Sequence, residues 1–121
     1  MQFVKATHPT SGHFSPAVIS NGMIYVSGQS SQDPVTHTVP EGMAAEMAMS
    51  LNRIEGILKD AGVDRTHIVF CRVYITDISK WDEANAAFAK FFGTHKPARA
   101  IYETSRTHHK ASVEIEAIAE L

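Results

Sequence analysis

A few residues in this chain have the chemistry and placement to act on a small molecule. Arg99 follows Pro97-Ala98 at the mouth of an expected strand, and Pro97 fixes the backbone just before it. An arginine held this way suits a carboxylate-bearing ligand, because its planar fork gives two parallel charge-assisted bonds. The alternatives are a surface arginine or an intersubunit ion pair. Glu114 and Glu116 are two apart and so share one face of a strand. They can position a water or a proton, or simply form a solvated face. Hairpin arithmetic through the Arg106–Ala111 loop would set Glu114 against Glu103, two like charges. Either Glu103 points elsewhere or these strands are not neighbours, and periodicity alone does not bring Arg99 beside Glu114.

Other chemistries are poorly supported. The seven His show no His-Glu-x-x-His spacing and no accompanying Cys cluster, so no metal site is expected. His108 and His109 are adjacent and point different ways. His8, His13, His37, His67 and His95 fall in expected loops or element ends, with His13 the one placed to reach a pocket. No Gly-x-Ser-x-Gly elbow surrounds Ser27. The single Cys71 lies mid-strand, where a buried small hydrophobe is the expected role. The seven Gly form neither a phosphate loop nor a dinucleotide fingerprint. What remains is cofactor-independent chemistry or simple binding.

The elements that must position these residues follow from pattern. Phe3–Ala6 reads as a short edge strand and His8–Gly12 as a loop. Pro16–Ser20 and Met23–Ser27 flank Asn21-Gly22, a strong hairpin signal because both turn residues take positive φ. Gly28 is expected to turn the chain, and Gln29–Pro40 to form a loop. Met43, Met47, Leu51, Ile54, Leu58 and Ala61 make one helical face over Glu41–Ala61, stopped by Gly62. Ile68–Ile75 reads as a strand, with Val69, Cys71, Val73 and Ile75 on one face and Ile68, Phe70 and Tyr74 on the other. Ser79 and Asp82 resemble a capping pair for a helix ending at Phe92 and Gly93. Trp81, Asn85, Phe88 and Phe92 lie near one face of that helix. Ala98–Ser105 and Ser112–Leu121 complete a β-β-β-α-β-α-β-β order, with the strands on either side of the second helix parallel.

Two helices cover one face of such a sheet. Val113, Ile115, Ala117, Ala119 and Leu121 are expected to meet them. Glu114, Glu116, Ile118 and Glu120 would fall on the bare face. A half-apolar, half-charged open face points to a subunit interface.

Length and composition agree with this picture. The 121 residues, 44% apolar and 20% charged, suit one globular domain spanning 1–121 that buries roughly two-thirds of its unfolded surface. A net charge of −2 argues against nucleic acid as the main partner. One Cys forbids an internal disulfide. No run is long enough to span a membrane. Met1–Pro9 lacks the apolar core of a signal peptide, so a reduced, cytoplasmic setting is expected.

Gly12-His13-Phe14-Ser15-Pro16-Ala17-Val18, Ile24-Tyr25-Val26-Ser27-Gly28-Gln29 and Asp33-Pro34 resemble the opening of the RidA/YjgF family. Pro97-Ala98-Arg99 and Val113-Glu114-Ile115-Glu116-Ala117-Ile118-Ala119 resemble its signature end, with matching separation. The resemblance covers nearly the whole chain. It implies an α+β, chorismate-mutase-like fold, with two helices on one face of a mixed sheet. It also implies a homotrimer with intersubunit clefts and no metal or organic cofactor. The implied activity is hydrolysis of carboxylate-bearing enamines and imines, such as 2-aminoacrylate and 2-iminobutanoate, to 2-keto acids and ammonia.

By the same resemblance, Arg99 clamps the substrate carboxylate and Glu114 holds the attacking water. Ser27, the Gly28 N–H and the Ile101 N–H contact the ligand, while Trp81 and Asn85 line the neighbouring wall. The chain departs from the family pattern at several positions. Phe14 stands where Tyr is common, costing the pocket a hydroxyl, and Ile101 stands where Cys is common. His13 and Ser30-Ser31 replace Pro and Ile-Pro, and Thr107-His108-His109 replaces Leu-Pro before Lys110. These changes bear on substrate range. A ligand-binding, stress-protective protein without turnover is the alternative reading, followed by a ribonuclease or translation inhibitor.

Overall fold

The computed structural model describes residues 1–5, 7, 10 and 12–121. Six strands form one mixed sheet in the order β1-β2-β3-β6-β4-β5. They are β1 (Gln2–Val4), β2 (Ala17–Ser20), β3 (Met23–Ser30), β4 (Ile68–Ile75), β5 (Ala98–Glu103) and β6 (Val113–Glu120). Helices α1 (Met43–Asp60) and α2 (Trp81–Phe92) cover one face. Asn21 and Gly22 both adopt positive φ in the β2–β3 turn, as the dipeptide predicts. β4 and β5 pair in parallel around α2. Of the two alternatives to a Glu103–Glu114 pairing, the strands prove not to be neighbours, because β4 lies between β5 and β6.

The core is the meeting of the helix stripes with one sheet face. Met43, Met47, Leu51, Ile54 and Leu58 are buried against Ala17, Ile24, Val26, Cys71, Val73, Ile75, Val113, Ile115, Ala117 and Ala119. Phe88 and Phe92 of α2 close the core at the β5 side. The opposite sheet face is only half-buried in this chain. It carries Tyr25, Phe70, Tyr74, Glu114, Ile118 and an Arg72–Glu116 ion pair.

Several expectations are corrected. β1 begins at Gln2, and Ala6 lies outside the described residues, as do His8, Pro9 and Ser11 of the expected loop. β3 does not end at Gly28 but runs to Ser30 through a bulge. In β4, Ile68 pairs with Ala119 and Phe70 with Ile118, so Val69 is an extra residue. Such a bulge switches the face of everything before it. Ile68 is therefore buried and Val69 exposed, the reverse of strict alternation. α1 starts at Met43 rather than Glu41, after Gly42 at φ 95°. Ser79 is not the cap. The Asp77 carboxylate accepts from the Ser79 N–H and opens a short 3₁₀ turn, Ile78–Lys80, that feeds α2. Leu121 lies beyond β6 and is exposed.

Candidate active site

Arg99 lies on β5, the edge strand, opposite Cys71 of β4. Its side chain is on the helix side. Nη1 donates to Asn85 Oδ1 of α2 at 2.8 Å. The guanidinium carbon sits 4.9 Å from the Phe88 ring centre and 5.4 Å from that of Trp81. Among the described residues no carboxylate pairs with it. The fork is held in place by an amide and two aromatic faces, and its remaining N–H groups have no carboxylate partner. Ile101, two residues on, has the same orientation and packs partly against the core. An edge strand leaves alternate N–H groups without a sheet partner, the condition an Ile101 N–H donor requires. Cys71 is fully buried, and burial pushes its thiol up to about 12 against the opposing pull of Arg99. It is a core residue rather than a nucleophile.

Glu114 lies near the start of β6, opposite Ser30 of β3 and Tyr74 of β4. Its side chain is on the open face. The β3 bulge places Ser27 and Gly28 against Glu116 alone, between the Val26–Ala117 and Gln29–Ile115 pairs. A Cβ built on Gly28 would stand 2.8 Å from Glu114 Oε2. The carboxylate thus occupies space that only glycine leaves open. The Ser27 hydroxyl donates to the Ser15 carbonyl at 2.7 Å, and the Ser27 N–H to the Pro16 carbonyl at 2.9 Å. Ser27 therefore ties the Gly12–Pro16 loop onto the bulge. Phe14, half exposed, forms a shallow groove with Phe3, His13, Ser15, Val18 and Ser27.

The structure gathers the expected residues into two groups. Arg99, Asn85, Trp81 and Ile101 form one, and Glu114, Gly28, Ser27 and Phe14 the other. It does not bring the groups together. The Arg99 line crosses the sheet as Cys71–Ala117, and the Glu114 line as Tyr74–Tyr102. They are offset by three residues along the strands, about 10 Å, and lie on opposite faces. Two neighbours, Phe88 against Arg99 and Tyr74 beside Glu114, join the site without being legible as site residues. Phe88 reads as core, and Tyr74's only signal is its place on the second face of β4. Among the described residues no group of three or more His, Cys, Asp or Glu is arranged to hold a metal. No helix is long and apolar enough to cross a membrane.

Fold and geometry together define a class: a small α+β protein with an arginine held by an amide, Arg99, on the helix side of one mixed sheet and a carboxylate fitted against a glycine, Glu114, on the open face. The chain belongs to the endoribonuclease L-PSP family, that of YjgF and RidA, whose model matches residues 5–121. It is 39% identical over 109 residues to a 2-iminobutanoate/2-iminopropanoate deaminase of Bos taurus, covering 89% of this chain and 80% of that one. It is 36% identical to the protein of the same name from Homo sapiens, with the same coverage. The crystal structure of the E. coli YjgF gene product superposes with a TM-score of 0.91 at 32% identity, covering 99% of this chain and 98% of that one. E. coli TdcF with bound serine superposes at 0.90 and 26% identity, covering 100% and 99%.

Proposed function

We propose that this protein hydrolyses carboxylate-bearing enamines and imines, of the 2-aminoacrylate and 2-iminobutanoate type, to 2-keto acids and ammonia. The sites would be clefts between the subunits of a homotrimer. The observation that carries the reading is the pair of prepared half-sites. Arg99 is fixed on Asn85 with no carboxylate partner, and Glu114 is fitted against Gly28. Their placement on opposite faces is what a cleft between copies requires. The deaminase relatives at 36–39% identity support the chemistry, and the serine-bound neighbour supports recognition of an amino-acid carboxylate.

In this mechanism Arg99 takes the substrate carboxylate and sets the imine carbon toward the Glu114 of another subunit. Glu114 removes a proton from water as the water oxygen bonds to that carbon, and returns it to the nitrogen as the C=N π bond opens, giving a tetrahedral aminoalcohol. Glu114 then carries the hydroxyl proton to the nitrogen, C=O forms as the C–N bond breaks, and ammonia departs from a 2-keto acid. An enamine enters after protonation at its terminal carbon. The electrophile is already activated, so orientation and one placed base suffice, with no resident metal or organic cofactor in the scheme. Ribonuclease action fits less well, because Glu114, beside Gly28 and without a cationic partner among the described residues, repels phosphate.

The test generates the two imines in situ with a dehydratase acting on serine or threonine and follows keto-acid formation. Wild type should accelerate release, and Arg99→Ala and Glu114→Gln should each lower kcat/KM by about 10²-fold or more. No acceleration by the folded wild type would overturn the reading. Saturable carboxylate binding without turnover would leave the ligand-binding protein in its place.

A further inference from the structure

The loop after β3 and the loop between β5 and β6 meet where β3 ends and β6 begins. Between them is a concavity of about 830 Å³, lined by Gln32, His37, Arg106, Thr107, His108, His109 and Lys110. Two permanent cations and three imidazoles face it, and no acidic residue lines it. Among the described residues neither Arg106 nor Lys110 has a carboxylate partner. Among the described residues no ring nitrogen of the three His is bonded, whereas His67 Nδ1 and His95 Nε2 meet backbone carbonyls. A lining rich in cationic and neutral donors and free of carboxylates suits an anion.

The rim is built rather than loose. Asp33 accepts from the Val35 and Thr36 N–H groups at 2.8 and 3.0 Å, and its carbonyl accepts from the His37 N–H at 2.9 Å. His37 is held at φ 59°, a conformation that favours few residues besides glycine. The Gln32 side chain donates to the His37 carbonyl. On the facing loop, Thr107 Oγ1 lies 2.9 and 2.8 Å from the His109 and Ala111 carbonyls. The Asp33 carboxylate is turned to the N–H groups of its own loop and does not line the concavity.

We propose that this concavity binds a small multivalent oxyanion, either phosphate-bearing or polycarboxylate. Its residues are distinct from those of both half-sites. No aromatic ring other than imidazole lines it, so it lacks the stacking platform that single-stranded nucleic acid needs. The anion would bridge the segments that leave the Gly28 bulge and enter the Glu114 strand.

The test is calorimetric titration of the whole protein with pyrophosphate and with citrate, against sodium chloride at matched ionic strength. One saturable event per chain is expected. It should weaken about tenfold or more in Arg106→Gln and in the His108→Gln/His109→Gln double variant, and persist in Arg99→Ala. Binding of pyrophosphate alone identifies a phosphate-bearing ligand, and binding of citrate alone a polycarboxylate. Heats no larger than those of chloride would overturn the proposal. So would loss of binding in Arg99→Ala but not in Arg106→Gln, or capture of an oligonucleotide where neither small anion binds. None of these outcomes depends on deaminase turnover.

Discussion

At the scale of single residues, what matters is how each reactive group is held. Arg99 has aromatic walls and an amide partner, whereas Glu114 has space made by the absence of a side chain. Gly28→Ala would place a methyl 2.8 Å from Glu114 Oε2, and the carboxylate, as the free end of a flexible side chain, is what must yield. Assayed on the imines of the proposed reaction, Gly28→Ala should lower kcat about tenfold or more while thermal unfolding shifts little. A collapse in stability with unchanged kcat would show that Gly28 serves only the fold. Arg99 and Glu114 stood out as candidates through the flanking motifs that carry the family resemblance, since residue type alone reads equally as a surface arginine and a solvated strand face. The Gly28–Glu114 contact was not, because it depends on a bulge. No local rule signals that Ser27 and Gly28 will share one partner, and Gly28 after an apolar run reads equally well as a turn.

Elements carry their own electrostatics. The Arg65 guanidinium donates to both Glu55 oxygens, at 2.6 and 2.8 Å, and to the Phe91 carbonyl at 2.6 Å. One side chain thereby joins α1, α2 and the entry to β4. The Arg65 hydrogen bonds hold the Glu55 carboxyl below the usual carboxylate range. A carboxyl depressed in the folded state stabilises it above the unfolded pKa, and that stability is lost as pH falls through the folded value. Urea unfolding of wild type and Glu55→Gln should therefore differ by about 2 kcal/mol near neutrality and converge as pH falls below the usual carboxylate range. A difference that stays constant with pH would mean the ion pair contributes little. Helical faces were readable because α1 repeats its apolar residues over five turns, a signal no single exception erases. Strand β4 has only eight residues, so one extra residue at Val69 reverses the assignment of Ile68.

For the whole molecule, the decisive fact is that one sheet separates Arg99 from Glu114. If each cleft takes its arginine from one subunit and its carboxylate from the next, two inactive variants complement each other. Mixed trimers formed by co-refolding equal amounts of Arg99→Ala and Glu114→Gln should recover about a quarter of wild-type activity. That is the chance that a cleft draws an intact residue from both sides. A site contained within one chain would recover none. The bare sheet face was legible in the sequence, since Glu114, Glu116 and Ile118 alternate with core residues and two helices cannot cover both faces. What would cover that face was not, because nothing local to β6 specifies what meets it.

The order of the strands also governs how the fold is reached. β6 pairs with β3 on one side and β4 on the other, yet it is synthesised after both. Until Val113–Glu120 arrives, the chain holds two unjoined fragments, β1-β2-β3 and β4-β5, each with an open edge where the seam will form. Those edges are the ones most prone to wrong pairing, and closing them joins segments far apart in sequence, which slows folding. The strand that bears Glu114 is also the one that seals the sheet, so Glu114 reaches its place against Gly28 only when the architecture is complete.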